Sequence, residues 1–333
     1  MNNIDDLKEN KNLYKFLEER TEDNKPNEKY IDIATNKIGL NKVTDINLSQ
    51  GTLFLLKEFN KINEYSNINN YEHYTFGWSG LPCSREANTE SKNLYDSILR
   101  LIKEKKNNNI KIILIGSSFG GNICLGISEH LTKEMYIPIE YIFTIGCPFF
   151  ESAKNSIETR LFNSNEYLFK NVLNIKSFGD FIQKYGSKIV KNKNSTIINS
   201  IRTGYNDLNF YFEKKDTKKE DRNKKKENIN KFNKWPIITA FFRNIISKNF
   251  YYPSHNELSF FNNKNIPVTI LIPLIIKSNN EESFDNKTQT DMTFNLKTNL
   301  LSFSGYNSIQ LPDNFMNTYH QEAFNINNQY YKK

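Results

Sequence analysis

Gly116-Ser117-Ser118-Phe119-Gly120-Gly121 places a serine between glycines two positions away on either side, the G-x-S-x-G spacing. Small residues at those places suit a nucleophile on a tight strand-to-helix turn, where the serine backbone is strained and larger neighbours would collide. A serine hydroxyl attacks only when a base takes its proton, and the base needs a carboxylate to orient it. On this kind of turn the three groups follow in the chain order Ser, Asp, His. Asp180, in Ser177-Phe178-Gly179-Asp180-Phe181-Ile182-Gln183, follows an apolar run and is the expected carboxylate; an Asp that merely caps the next turn is the plainer alternative. Of the four histidines, His73 and His130 precede Asp180, and His130 falls within the helical run after the turn. His255, in a turn that opens a short helix, is the expected base, with His320 in the polar tail as its competitor. Negative charge on an attacked carbonyl oxygen needs fixed donors. The backbone N–H of Phe119 is one, and the N–H of Thr52 in the turn Gln50-Gly51-Thr52 is the expected second. A phosphate-cradling glycine loop is the other reading of residues 116–121, but the Lys-Ser/Thr ending of that motif is missing.

These residues need a frame. Leu94, Ile98, Leu99 and Ile102 share one helical face within 91–102, and an unbroken apolar strand follows at 110–115. Residues 120–134 return to helical spacing at Ile123, Ile127 and Leu131. Further apolar runs at 139–145 and 172–175 each stop at turn residues, Gly146-Cys147-Pro148 and Ser177-Phe178-Gly179. Strand, helix, strand, loop, strand, with strands that are apolar on both faces, predicts a mostly parallel central sheet with helices on both faces. Upstream, the stretch 45–56 predicts a short strand running into the turn at Gln50.

Composition narrows the class. Among 333 residues the net charge is +8, but much of the excess basic charge lies in the run 213–234, so it says little about the folded surface. That run reads as a solvated loop or disordered insertion, with weak contact to an anionic membrane surface as the alternative. No Cys/His finger spacing and no aromatic RNA-binding motif is present, so nucleic acid is not an expected partner. Cys83, Cys124 and Cys147 are odd in number and unrelated in spacing, which suggests neither a disulfide framework nor a metal site. The first residues lack the apolar core of a secretory signal, and the most apolar window, 266–276, is too short to span a bilayer and holds two prolines. A cytoplasmic protein without a cofactor is expected.

The segment Phe76-Gly77-Trp78-Ser79-Gly80, then Arg85, and then the Gly116–Asn122 turn resembles bacterial α/β hydrolases of the lipase and esterase type. The likeness continues through Gly146-Cys147-Pro148 and the Ser177, Asp180, Gln183 pattern to His255 with Glu257-Leu258 behind it. Gln50, Ser117 and Phe119 stand where that group carries histidines, but backbone donors survive such changes. The resemblance covers about residues 45–260 and implies an α/β-hydrolase-like fold; with the composition along the chain, this divides it into an α/β-hydrolase-like domain over 41–277 with the charged insertion at 213–234, a leader segment at 1–40 and a polar C-terminal extension at 278–333. It further implies cleavage of a small-molecule or lipid acyl ester. A thioesterase or acyltransferase would use the same atoms, and a catalytically inactive binding scaffold is the rival from another class.

Overall fold

Runs of Ile, Val, Leu and Phe bounded by turn residues become the strands of one sheet. The computed structural model of the chain describes residues 39–43, 50–65, 71–78, 84–105, 110–127, 130, 139–148, 171–180, 182–183, 206–213, 250–259, 266–282 and 290–331. In chain order these form β1 (Gly39–Lys42), α1 (Gln50–Tyr65), β2 (Tyr74–Gly77), α2 (Ser84–Lys105), β3 (Ile112–Ser117) and α3 (Gly120–Gly126). Next come β4 (Ile139–Ile145), β5 (Asn171–Lys176), β6 (Asn206–Glu213), β7 (Phe250–Tyr251) and α4 (His255–Ser259). A 3₁₀ turn (Val268–Leu271) leads into α5 (Ile272–Glu282), followed by β8 (Thr290–Asn295), β9 (Leu300–Phe303), β10 (Ile309–Gln310) and α6 (Phe315–Tyr331).

The main sheet has the order β10-β9-β8-β6-β5-β4-β3, with β7 paired to β6. Strands β3, β4, β5, β6 and β8 are parallel neighbours, whereas β7, β9 and β10 join antiparallel. β1 and β2 form a separate antiparallel pair. The protein is therefore a mixed α/β structure with a mostly parallel central sheet.

Alternate residues of each strand go to opposite faces. Tyr141, Phe143 and Ile145 of β4 join Leu173 and Ile175 of β5 in a cluster with α1, α5 and α6. Ile142 and Val172 belong to a second cluster with α2 and α3. Helices thus cover both faces, and each fully buried large side chain contributes roughly 1.5–3 kcal/mol to holding them there. Leu94 and Ile98 of α2 are buried, and Leu99 and Ile102 pack beside them, as the helical spacing predicts.

Three expectations differ from the structure. The turn expected at Gln50-Gly51-Thr52 is the first turn of α1, whose Phe54, Glu58 and Ile62 recur every four residues on the buried side; the strand read just before it lies outside the described residues. The helix after the turn at Ser118 is shorter than its spacing suggests: it ends at Gly126, Ile127 continues it as 3₁₀, and His130 sits in a following turn. Most of the stretch set apart as a polar C-terminal extension, 278–333, is built into the sheet and its cover as β8, β9, β10 and α6. Its strands were hard to read because β8 (TDMTFN) alternates polar with apolar residues while being buried on both faces. Of the leader segment only residues 39–40 are described, in β1, and residues 214–234 of the charged insertion lie outside the description. Among the described residues no helix is long and apolar enough to cross a membrane.

Candidate active site

The parallel strands deliver their loops to one edge of the sheet. Ser117, Ile145 and Ile175 lie side by side in register at the C-terminal ends of β3, β4 and β5. The next turns carry Ser118, Gly146 and Asp180. Sheets of this architecture gather their sites at that edge. β7 runs antiparallel against the C-terminal end of β6, pairing Tyr251 with Phe212 and Phe250 with Glu213, and this turns the chain back so that α4 begins at His255.

Ser118 has φ of 52°, a left-handed conformation that a non-glycine residue adopts only when its surroundings impose it. The surroundings are visible. The Ser118 N–H donates to Ile145 O at 2.8 Å, extending the β3–β4 ladder one residue past the strand. The chain then turns at once into α3, with Phe119 already helical and the Asn122 N–H bonded to Phe119 O at 2.9 Å. Gly116 is required because a Cβ there would lie 2.5 Å from Gly120 O. Asn122, buried in α3, donates from Nδ2 to Pro148 O at 2.9 Å and ties the turn at Ser118 to the loop after β4.

The structure brings Ser118, Asp180 and His255 together. His255 Nε2 lies 2.8 Å from Ser118 Oγ, and its Nδ1 lies 2.9 and 3.0 Å from the two carboxylate oxygens of Asp180. A carboxylate only accepts, so Nδ1 carries the proton and donates to Asp180, which leaves Nε2 to accept from the serine hydroxyl. The Asp180 side chain is fully shielded and that of His255 nearly so. Asp180 Oδ1 also accepts the Gln183 N–H at 2.9 Å, so the carboxylate is held from its own turn as well. Behind it, buried Asn174 Oδ1 accepts from Thr144 Oγ1 at 3.0 Å and from Gln183 Nε2 at 3.4 Å.

Gly146 lies beneath the pair with φ of 59°. A Cβ there would stand 2.5 Å from Asp180 Oδ2 and 3.2 Å from His255 Nδ1. Sequence reasoning places Gly146 in a strand-ending turn but has no signal for this contact. Cys147, next in the chain, is buried, and burial, then the neighbouring Cys124, pushes its thiol well above the ordinary range.

The other expected groups are placed as follows. Phe119 is buried and stacks on Trp78, with ring centroids 5.0 Å apart, so the bulky residue beside the serine is packed into the protein. Thr52 is the third residue of α1, where a helical N–H has no partner within the helix. His320 is on α6 against Tyr319, with ring centroids 5.8 Å apart. His73 is bonded to Asn60 Oδ1 at 2.9 Å, and His130 lies against Tyr95. Among the described residues no group of three or more His, Cys, Asp or Glu side chains could hold a metal ion.

The arrangement can activate a serine hydroxyl and stabilise the imidazolium that forms when its proton moves. Compared with known proteins, the chain matches no family model, no curated protein and no solved structure.

Proposed function

We propose that this chain is a serine hydrolase of the α/β-hydrolase type that cleaves carboxylic esters of the lipase or esterase kind. The observation that carries the proposal is the unbroken hydrogen-bond chain from Asp180 through His255 to a Ser118 in a left-handed turn. Strained serines on strand-to-helix turns cost stability, and they persist where exposing the hydroxyl serves chemistry.

In this reading Ser118 Oγ attacks the acyl carbon while His255 Nε2 takes the hydroxyl proton. Asp180 holds the imidazolium in place without itself being protonated. The backbone N–H groups of Phe119 and Thr52 receive the negative oxygen of the tetrahedral intermediate. His255 then gives its proton to the departing alkoxide, leaving an acyl group on Ser118. A water molecule, deprotonated by the same Nε2, attacks the acyl carbon, and as the acid departs His255 returns that proton to Ser118 Oγ.

A fluorophosphonate probe tests this directly. The wild type is expected to be labelled on Ser118 and to hydrolyse p-nitrophenyl esters, and Ser118→Ala is expected to do neither. A folded wild type that resists the probe would replace the hydrolase with a ligand-binding scaffold.

A further inference from the structure

The five-residue helix α4 is too short to be stable alone, and the expected base is its first residue. Its placement therefore depends on what tethers it. Ser254 precedes the helix and Glu257 is its third residue, the spacing of a capping box. Glu257 Oε2 accepts both the backbone N–H and the hydroxyl of Ser254, each at 2.8 Å. A cap needs nothing more. Here the second oxygen, Oε1, also accepts a hydrogen bond from the hydroxyl of Tyr251 in β7. Tyr251 is fixed in turn by its pairing with Phe212 of β6. One carboxylate thus joins the last strand before the base, the residue before the base and the helix that the base begins. On the opposite side the acid turn presses against the same segment: a Cβ on Gly179 would lie 2.5 Å from Tyr252 O and 2.7 Å from Pro253 O.

We infer that Glu257 is a positioning residue for His255: its carboxylate clamps Tyr251 to Ser254 and so sets the imidazole between Asp180 and Ser118. The inference rests on the reading of Ser118, His255 and Asp180 as a working triad. Misplacing a catalytic group by about 1 Å can cost on the order of 10²-fold in rate. Glu257→Ala is therefore expected to lower kcat and the rate of fluorophosphonate labelling about 10²-fold with KM unchanged. Glu257→Gln, whose amide oxygen can still accept from Ser254, should recover part of that loss, and Tyr251→Phe should give a smaller one.

A readout independent of turnover separates this inference from the proposed function. The proton between His255 Nδ1 and Asp180 should appear as a low-field NMR resonance in the full-length wild type, and should broaden or vanish in Glu257→Ala. If Glu257→Ala cannot be folded, Glu257→Gln and Tyr251→Phe decide by the same two measurements. Variants that keep the wild-type resonance and labelling rate while losing only melting temperature would reduce Glu257 to a helix cap and overturn the inference. A wild type that shows the resonance, loses it on substitution and yet is never labelled would sink the hydrolase reading while leaving the clamp standing.

Discussion

A hydrogen atom where other residues carry a Cβ is what lets Asp180 and His255 meet over Gly146. Gly146→Ala would place a methyl carbon 2.5 Å from Asp180 Oδ2, so the carboxylate must move or the loop must shift. It would also hold a side chain at φ of 59°, which costs roughly 1–2 kcal/mol for most residues. Gly305, with φ of 88° and nothing within 4 Å of a built Cβ, isolates that backbone cost. Both alanine variants should melt earlier than the wild type, but only Gly146→Ala should lose fluorophosphonate labelling, by about 10²-fold or more. Equal labelling in the two would mean that the acid and base tolerate displacement. Asp180→Asn tests the acid itself. An amide removes the charge opposite the imidazolium and can hold the ring in the wrong tautomer, so kcat for p-nitrophenyl ester hydrolysis should fall on the order of 10⁴-fold with the fold intact. Ser118 and Asp180 were legible in the sequence because each follows an apolar run, and His255 because chain order leaves only it and His320 downstream of Asp180 and it opens a short helix. The contact at Gly146 was not, since it exists only where three loops converge.

Elements differ in how openly they declare themselves. The strand β4 is a largely apolar run because both of its faces are covered, and such a run is visible in any register. α1 hid because Gly51 and Thr52 punctuate its first turn, and its buried face includes a glutamate. The window 266–276, apolar apart from Thr269, is a 3₁₀ turn running into α5, where Pro273 is the second residue, in the first turn that tolerates proline. Packing decided these cases, and periodicity alone could not. α3 is joined to the loop after β4 by packing against Cys147 and by a side-chain hydrogen bond, from Asn122 Nδ2 to Pro148 O inside the protein. Asn122→Ala would strand that buried carbonyl at a cost of about 1–3 kcal/mol. Denaturant titration should show that loss as a lower midpoint with an unchanged slope, together with slower labelling of Ser118. A stability equal to the wild type would mean that another donor reaches Pro148.

Across the described residues, α6 packs back against α1. Phe54 of α1 meets Tyr319 of α6 with ring centroids 5.4 Å apart, and Lys61 of α1 reaches both Glu58 at 2.7 Å and Glu322 of α6 at 3.6 Å. α6 was hard to read because its buried residues, Phe315, Met316, Tyr319 and Ala323, are spaced among Asn, Gln and Glu. Glu58 is shut into this contact, and its pKa is raised above the ordinary 4.5 first by burial, with Lys61 opposing and Glu322 adding to the rise. Beside it, burial and then the Glu58 charge push the Tyr319 phenol well above its usual range. A carboxyl whose pKa is higher folded than unfolded binds its proton more tightly in the folded state. Its contribution is therefore complete below 4.5 and is lost as pH climbs through the raised folded value. Lys61 also has a raised pKa, but from 10.5, so it stays charged across the acid range and leaves Glu58 as the titrating member of the pair. Glu58→Gln keeps an acceptor for Lys61 and removes the titration. Melting curves of the two proteins should nearly coincide near pH 4, and Glu58→Gln should become progressively the more stable as pH rises toward neutrality. A gap that stays constant with pH, or that closes in that direction, would show that the charged form of Glu58 is welcome between α1 and α6.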